Sequence, residues 1–87
     1  MTAYKFAVTG FPKPPLITRK RRRRAIEFVN ALKELQGVIA VETAYPNLIL
    51  YMESANDAII AKNSLRFYGF PTSEETYAVD IDKAQLH

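Results

Sequence analysis

Arg19, Lys20, Arg21, Arg22, Arg23 and Arg24 form an unbroken run of six cations. Five of the six are arginines, whose planar guanidinium meets phosphate oxygens in pairs. The chemistry open to such a run is the holding of a polyanion. It falls where the sequence predicts the start of a helix, an unfavourable place for cations. The first helical turn presents unpaired N–H groups and the positive end of the dipole, and like charges three and four residues apart repel. An anion laid there relieves both conditions, and repeated phosphates, meaning nucleic acid, are the leading class. Spread around a helix, the six residues point in all directions, so they do not all meet one ligand. If about four to six of them meet phosphates, affinity falls steeply with salt. Lys13 extends the patch. The same letters also spell a nuclear localisation signal, or a segment that docks into an acidic protein groove or onto an anionic membrane. Membrane insertion is disfavoured because no aromatic residues interleave the run.

Catalytic chemistry has little to stand on. Asp80 and Asp82, two apart on the last predicted strand, could share a divalent cation, but two carboxylates on a solvated face are the ordinary reading. His87 is the only histidine and the chain has no cysteine. No Ser-His or Cys-His pairing, glycine-rich phosphate loop or HExxH pattern is present, so we expect no enzyme, no metal site and no cofactor. The absence of cysteine also removes disulfides and thiolate metal sites, and fits a cytoplasmic protein.

The elements that must position the basic run follow from periodicity. Residues 4–9 read as a strand, with Tyr4, Phe6 and Val8 alternating with Lys5, Ala7 and Thr9. Gly10 ends it. Pro12, Pro14 and Pro15 then make a stiff extended loop flanked by Phe11 and Leu16. Thr18 is placed to cap a helix reaching about residue 36, with Ala25, Phe28, Val29, Leu32 and Leu35 as its apolar stripe and Gly37 at its C-terminal cap. Residues 38–44 and 48–53 read as a hairpin turned by Tyr45, Pro46 and Asn47. Ser54 followed by Asp57 signals a second helix over 55–68, closed by Gly69 and Pro71. After a polar loop at 72–75, residues 76–82 form a last strand, with Tyr77, Val79 and Ile81 on one face and Ala78, Asp80 and Asp82 on the other.

The order β-α-β-β-α-β predicts an α+β fold of the ferredoxin-like kind, a four-stranded antiparallel sheet with two helices on one face. One domain spans 1–87, with a Pro-rich basic loop at 11–24. The sheet's second face has no layer to cover it. Its expected residues are Lys5, Ala7, Thr9, Ala40, Glu42, Ile49, Tyr51, Ala78 and Asp80, which makes it a binding surface or the interface of a homodimer. Phe11, Ile49 and Tyr51 are the stacking or interface candidates. Tyr45, Tyr68 and Phe70 are further aromatic residues that could be exposed.

The element order resembles that of RNA-recognition-motif domains, and residues 55–69 have the general look of their second helix. The third strand, from Asn47 through Tyr51 to Glu53, lacks that family's basic-Gly-aromatic start and offers Tyr51 alone. The opening Phe6-Ala7-Val8-Thr9-Gly10-Phe11-Pro12 loosely resembles small CRISPR-associated ferredoxin-like nucleases. Those carry a metal-binding Asp where this chain has Gly10. Acylphosphatases share the fold and size, without their phosphate-loop signature here. These resemblances imply a fold and carry no function.

Composition bounds the rest. The chain of 87 residues is 48% hydrophobic and 24% charged, a globular rather than a disordered balance. Its net charge of +3 is unevenly placed. Residues 11–24 hold seven basic and no acidic groups, while residues 25–87 hold four basic groups against nine carboxylates. A local patch on a mildly acidic body steers anions, where a uniform excess mainly confers solubility. No apolar run approaches the ~18 residues of a membrane span, and residues 1–10 lack a signal-peptide pattern.

The expectation is therefore a small non-enzymatic nucleic-acid-binding domain that contacts phosphates largely without regard to sequence. RNA or a nucleoprotein complex is placed ahead of bare duplex DNA. The alternative is a protein-interaction or inhibitory module, such as one from a mobile element. It would use the open sheet face or an edge strand, with the basic run docked in an acidic or nucleic-acid-binding groove.

Overall fold

The computed structural model describes residues 1–9, 19–44 and 46–81. The side chains of residues 19–25 lie outside the described part. The elements are β1 (Thr2–Val8), α1 (Arg19–Lys33), β2 (Val38–Ala44), β3 (Asn47–Met52), α2 (Ala55–Phe67) and β4 (Tyr77–Asp80). The fold class is α+β: one four-stranded sheet in the order β2-β3-β1-β4, with every neighbouring pair antiparallel.

Alternation decides which face is inside. Tyr4, Phe6 and Val8 of β1 pair directly with Met52, Leu50 and Leu48 of β3, so all six side chains share one face. Five of the six are fully buried, Tyr4 being partly so, and they join Leu32 of α1 and Ala58, Ala61 and Leu65 of α2 in a single apolar cluster. Both helices therefore cover the same side of the sheet. Each large side chain buried there contributes about 1.5–3 kcal/mol. Of the expected apolar stripe, Leu32 is buried and Phe28, Val29 and, just beyond the end of α1, Leu35 pack against the cluster, while the side chain of Ala25 lies outside the described part.

The connections are set by local chemistry. Ser54 accepts the Asp57 N–H at 3.0 Å and starts α2, the N-cap arrangement that satisfies an orphan donor. Gly69 ends it with φ +86°, the left-handed conformation that glycine adopts without strain. Between α1 and β2, Gly37 has φ +81°. A Cβ there would stand 2.7 Å from Asp57 Cβ, so the turn after α1 can lie against the first turn of α2 only because the residue is glycine. Its carbonyl accepts the Glu53 N–H at 2.8 Å. β2 carries a bulge between Val38 and Ala40.

The last strand departs from its predicted phase. Lys5 pairs with Tyr77 and Ala3 with Val79, while Tyr4 pairs with Ala78 and Thr2 with Asp80. Tyr77 and Val79 thus lie on the open face, and Ala78 and Asp80 on the helix side, the reverse of the expected outer set. Alternation alone does not say which side is inward on a short edge strand whose residues are all exposed or half-buried. The phase is fixed from the preceding segment. Ser73 donates its N–H to Ala7 O at 2.8 Å and accepts the Ala7 N–H on its hydroxyl at 2.9 Å. Thr72 bridges to Val8. The residues read as a polar loop therefore continue the edge of the sheet, and residues 74–76 form a bow between Ser73, opposite Ala7, and Tyr77, opposite Lys5. α2 holds this bow: Lys62, only 8% exposed, donates from Nζ to Glu74 O at 2.6 Å and to Thr76 Oγ1 at 3.4 Å. One turn on, Arg66 donates to Thr72 Oγ1 at 2.7 Å and to Ser73 O at 3.4 Å. Among the described residues, no helix is long and apolar enough to cross a membrane.

Candidate nucleic-acid interface

Arg19, Lys20, Arg21, Arg22, Arg23 and Arg24 are the first six residues of α1, so the helix does begin in the basic run. Its first turn holds no acidic residue, and Lys33 is the cation of its last turn. Lys13, Phe11, Tyr45, Thr18, the three prolines, Asp82 and His87 lie outside the described residues.

The end of the fold at which the run sits is fixed by packing. α1 finishes beside the start of β2, where Val38 donates to Leu35 O at 3.2 Å and pairs with Met52. From there α1 climbs back across the sheet toward the end at which α2 finishes. Phe28 meets Phe70 with ring centroids 4.8 Å apart and planes tilted by 33°. Phe70 is itself tied to α2 by its N–H to Leu65 O at 2.9 Å. Arg24 is one turn N-terminal to Phe28, about 6 Å along the axis at the ordinary helical rise. The basic start of α1 and the C-terminal end of α2 therefore share one end of the molecule.

That end carries two aromatic side chains in solvent. Phe67 is 83% and Tyr68 73% exposed. Their rings make an edge-to-face pair with centroids 5.3 Å apart and planes at 86°, a preferred aromatic geometry. Tyr68 was among the sequence's candidates for exposure and Phe67 was not. The signal for Phe67 was present: Ala58, Ala61 and Leu65 define the buried side of α2, and position 67 is off that stripe. Phe70, also a candidate, is half-buried against Phe28.

Ile49 and Tyr51 occupy the other face of the sheet. They alternate with the buried Leu48, Leu50 and Met52, and so point away from the side that carries α1. The structure does not bring them together with the basic residues. Across the open face, Ala40, Tyr51, Lys5 and Tyr77 form one cross-strand row. Tyr51 donates to Glu42 Oε2 at 2.6 Å, and Tyr77 donates to Glu75. The Glu42 hydrogen bond, with desolvation and the Glu42 charge behind it, pushes the Tyr51 phenol from 10.0 up to about 12. The Tyr77 phenol is also raised, chiefly by its bond to Glu75. Alternation in the sequence predicts Lys5 and Tyr51 on this face and Tyr77 on the other.

Lys62, Arg66 and Asp80 are engaged within the fold. Lys62 and Arg66 are taken up by the 72–76 segment, and Asp80 accepts from the Met1 ammonium at 3.1 Å. Among the described residues, no three of His, Cys, Asp and Glu gather to hold a metal. Comparison of the chain with known protein families, with curated proteins and with solved structures returns no match.

Proposed function

We propose that the chain is a small non-enzymatic nucleic-acid-binding domain on a ferredoxin-like fold, in which Arg19, Lys20, Arg21, Arg22, Arg23 and Arg24 contact phosphates and Lys13 extends the patch. The fold reading is supported by the element order, the sheet order and the placement of both helices on one side. The functional reading rests on one observation: α1 begins with six cations in succession and no acid in its first turn. The positive end of the helix and its side chains therefore favour the same ligand, an anion. Phosphate contacts position a protein on nucleic acid without specifying sequence. RNA or a nucleoprotein complex is placed ahead of bare duplex DNA.

The protein-interaction alternative would use Ile49 and Tyr51. It is less well supported, because Ile49 is only half-exposed between Glu42 and Ala7 in its cross-strand row and the Tyr51 hydroxyl is already engaged by Glu42.

The test is a fluorescence-anisotropy titration against labelled single-stranded RNA, single-stranded DNA and duplex DNA across a salt series. Binding at micromolar concentration or tighter near physiological salt is expected. With about four to six phosphate contacts, log K should fall with log salt at a slope of about −3 to −4 on single strands. Absence of binding to all three ligands at low salt rejects the proposal.

A further inference from the structure

Phe67 and Tyr68 are the most exposed large apolar side chains among the described residues. Neither belongs to the apolar cluster nor packs against it, and the aromatic contact to α1 is made by Phe70, beyond the end of α2, at 4.8 Å. The C-terminal turn of α2 is closed by backbone bonds, Tyr68 N–H to Ser64 O at 3.2 Å and Gly69 N–H to Arg66 O at 3.0 Å, which need neither ring. Two adjoining rings left in water form an exposed apolar patch, the kind of surface that interaction sites use.

What covers them is indicated by charge. The basic start of α1 adjoins this end through the Phe28–Phe70 contact, so an occupant of the rings approaches a field that selects anions. A nucleotide joins a flat aromatic base to a phosphate. In a duplex the base faces are stacked and unavailable, while in a single strand they are free to lie on an exposed side chain. We infer that Phe67 and Tyr68 form a base-stacking platform, and that the ligand of the basic end is single-stranded nucleic acid with unpaired bases. The inference rests on the phosphate-binding role proposed above and adds to it a class of ligand and two residues of α2. Ile59 and Ile60 are also exposed on α2, and a protein partner lying along that helix is the competing occupant. It would not require the cations at the adjoining end.

The experiment compares wild type, Phe67→Ala/Tyr68→Ala and Phe67→Trp/Tyr68→Trp. Each is titrated with a single-stranded oligonucleotide of mixed sequence and with its duplex at one salt concentration. Wild type should prefer the single strand. The double alanine variant should bind the single strand roughly ten- to hundred-fold more weakly with duplex affinity unchanged, and the double tryptophan variant should retain the preference. The chain has no tryptophan, so Phe67→Trp alone also supplies a lone indole whose fluorescence should be quenched by the single strand and not by the duplex. Unchanged single-strand affinity in the alanine variant overturns the platform while leaving the phosphate role standing, and assigns the α2 surface to a protein contact. Equal loss on both ligands overturns it as well. If wild type binds neither ligand, the phosphate role falls and the platform with it. Should the alanine variant fail to fold, the quenching measurement decides alone: no quenching rejects stacking.

Discussion

At the start of α2, Ser54 lends its hydroxyl oxygen to the Asp57 N–H and Asp57 adds a negative charge to the first turn, while Arg66 stands in the last. At the start of α1, six cations succeed one another and the first turn has no acid. Both helices cover the same core on the same side of the sheet. One supplies the partners its own terminus needs; the other has charges that its terminus repels. The first turn of α1 therefore carries the charge sign least favourable to a helix start. That difference sets a terminus that local helix chemistry explains against one that it does not.

The largest effect should come from inverting the anomalous terminus. Arg21→Glu/Arg22→Glu/Arg23→Glu is expected to lower nucleic-acid affinity by more than about a hundred-fold and to flatten the salt slope. The same substitutions bring the dipole its preferred sign and should stabilise the free protein by about 1 kcal/mol, or about 4–8 °C in Tm for a chain of this size. Opposite signs in anisotropy and thermal melting are the signature. A parallel loss of both would mean that the cations serve the fold.

The point where the end of one helix meets the beginning of the other should respond next. Gly37→Ala requires a side chain at φ +81° and against Asp57, and should cost more than about 1 kcal/mol in urea unfolding. Asp57→Ala in the same background should restore part of it, and an absence of such coupling would count against this contact.

Ser54→Ala removes the internal cap of α2 and should cost about 1 kcal/mol, with nucleic-acid affinity unchanged. A drop in affinity there would erase the functional contrast between the two termini.

The open face should show the smallest change, and only in alkali. The neutral Tyr51 phenol is held by Glu42, so its folded pKa lies above the unfolded one. Its contribution to stability is fully present below about pH 10 and is lost as pH rises through about 12. In an ultraviolet absorbance titration Tyr51 should ionise late, with Tyr77 also delayed, and Glu42→Gln should bring Tyr51 alone back toward 10. Indistinguishable titration curves for the two proteins would remove Glu42 as the cause.

The parts of the fold legible in the sequence were those with two independent local signals. α2 had a cap residue and a glycine stop, and begins where Ser54 placed it. β2 and β3 had apolar alternation on both sides of a turn containing Pro46. β4 had alternation alone. Its phase is set by Ser73 against Ala7 and by Lys62 reaching across from α2, contacts between residues far apart in sequence that no local pattern encodes. The basic run was legible as charge, whereas its place at the same end of the fold as Phe67 and Tyr68 follows from the Phe28–Phe70 contact between α1 and the segment after α2. The opposition of Ile49 and Tyr51 to α1 follows from their alternation with Leu48 and Leu50, once both helices are known to lie on one side.

The pairing of the sheet also sets an order in time. β1 precedes the other strands of this sheet and lies inside it, yet its partners are β3, forty or more residues later, and β4, later still. The β2–β3 hairpin and α2 can form from neighbouring residues as soon as they exist, whereas β1 must stay unpaired until β3 has followed, with Phe6 and Val8 uncovered. Loop closure on that scale makes such a sheet slower to assemble than its hairpin. During that interval the nascent chain carries its cations close to an unpaired apolar strand. A polyanion present at that stage would meet the basic run before the sheet that is to support it has closed.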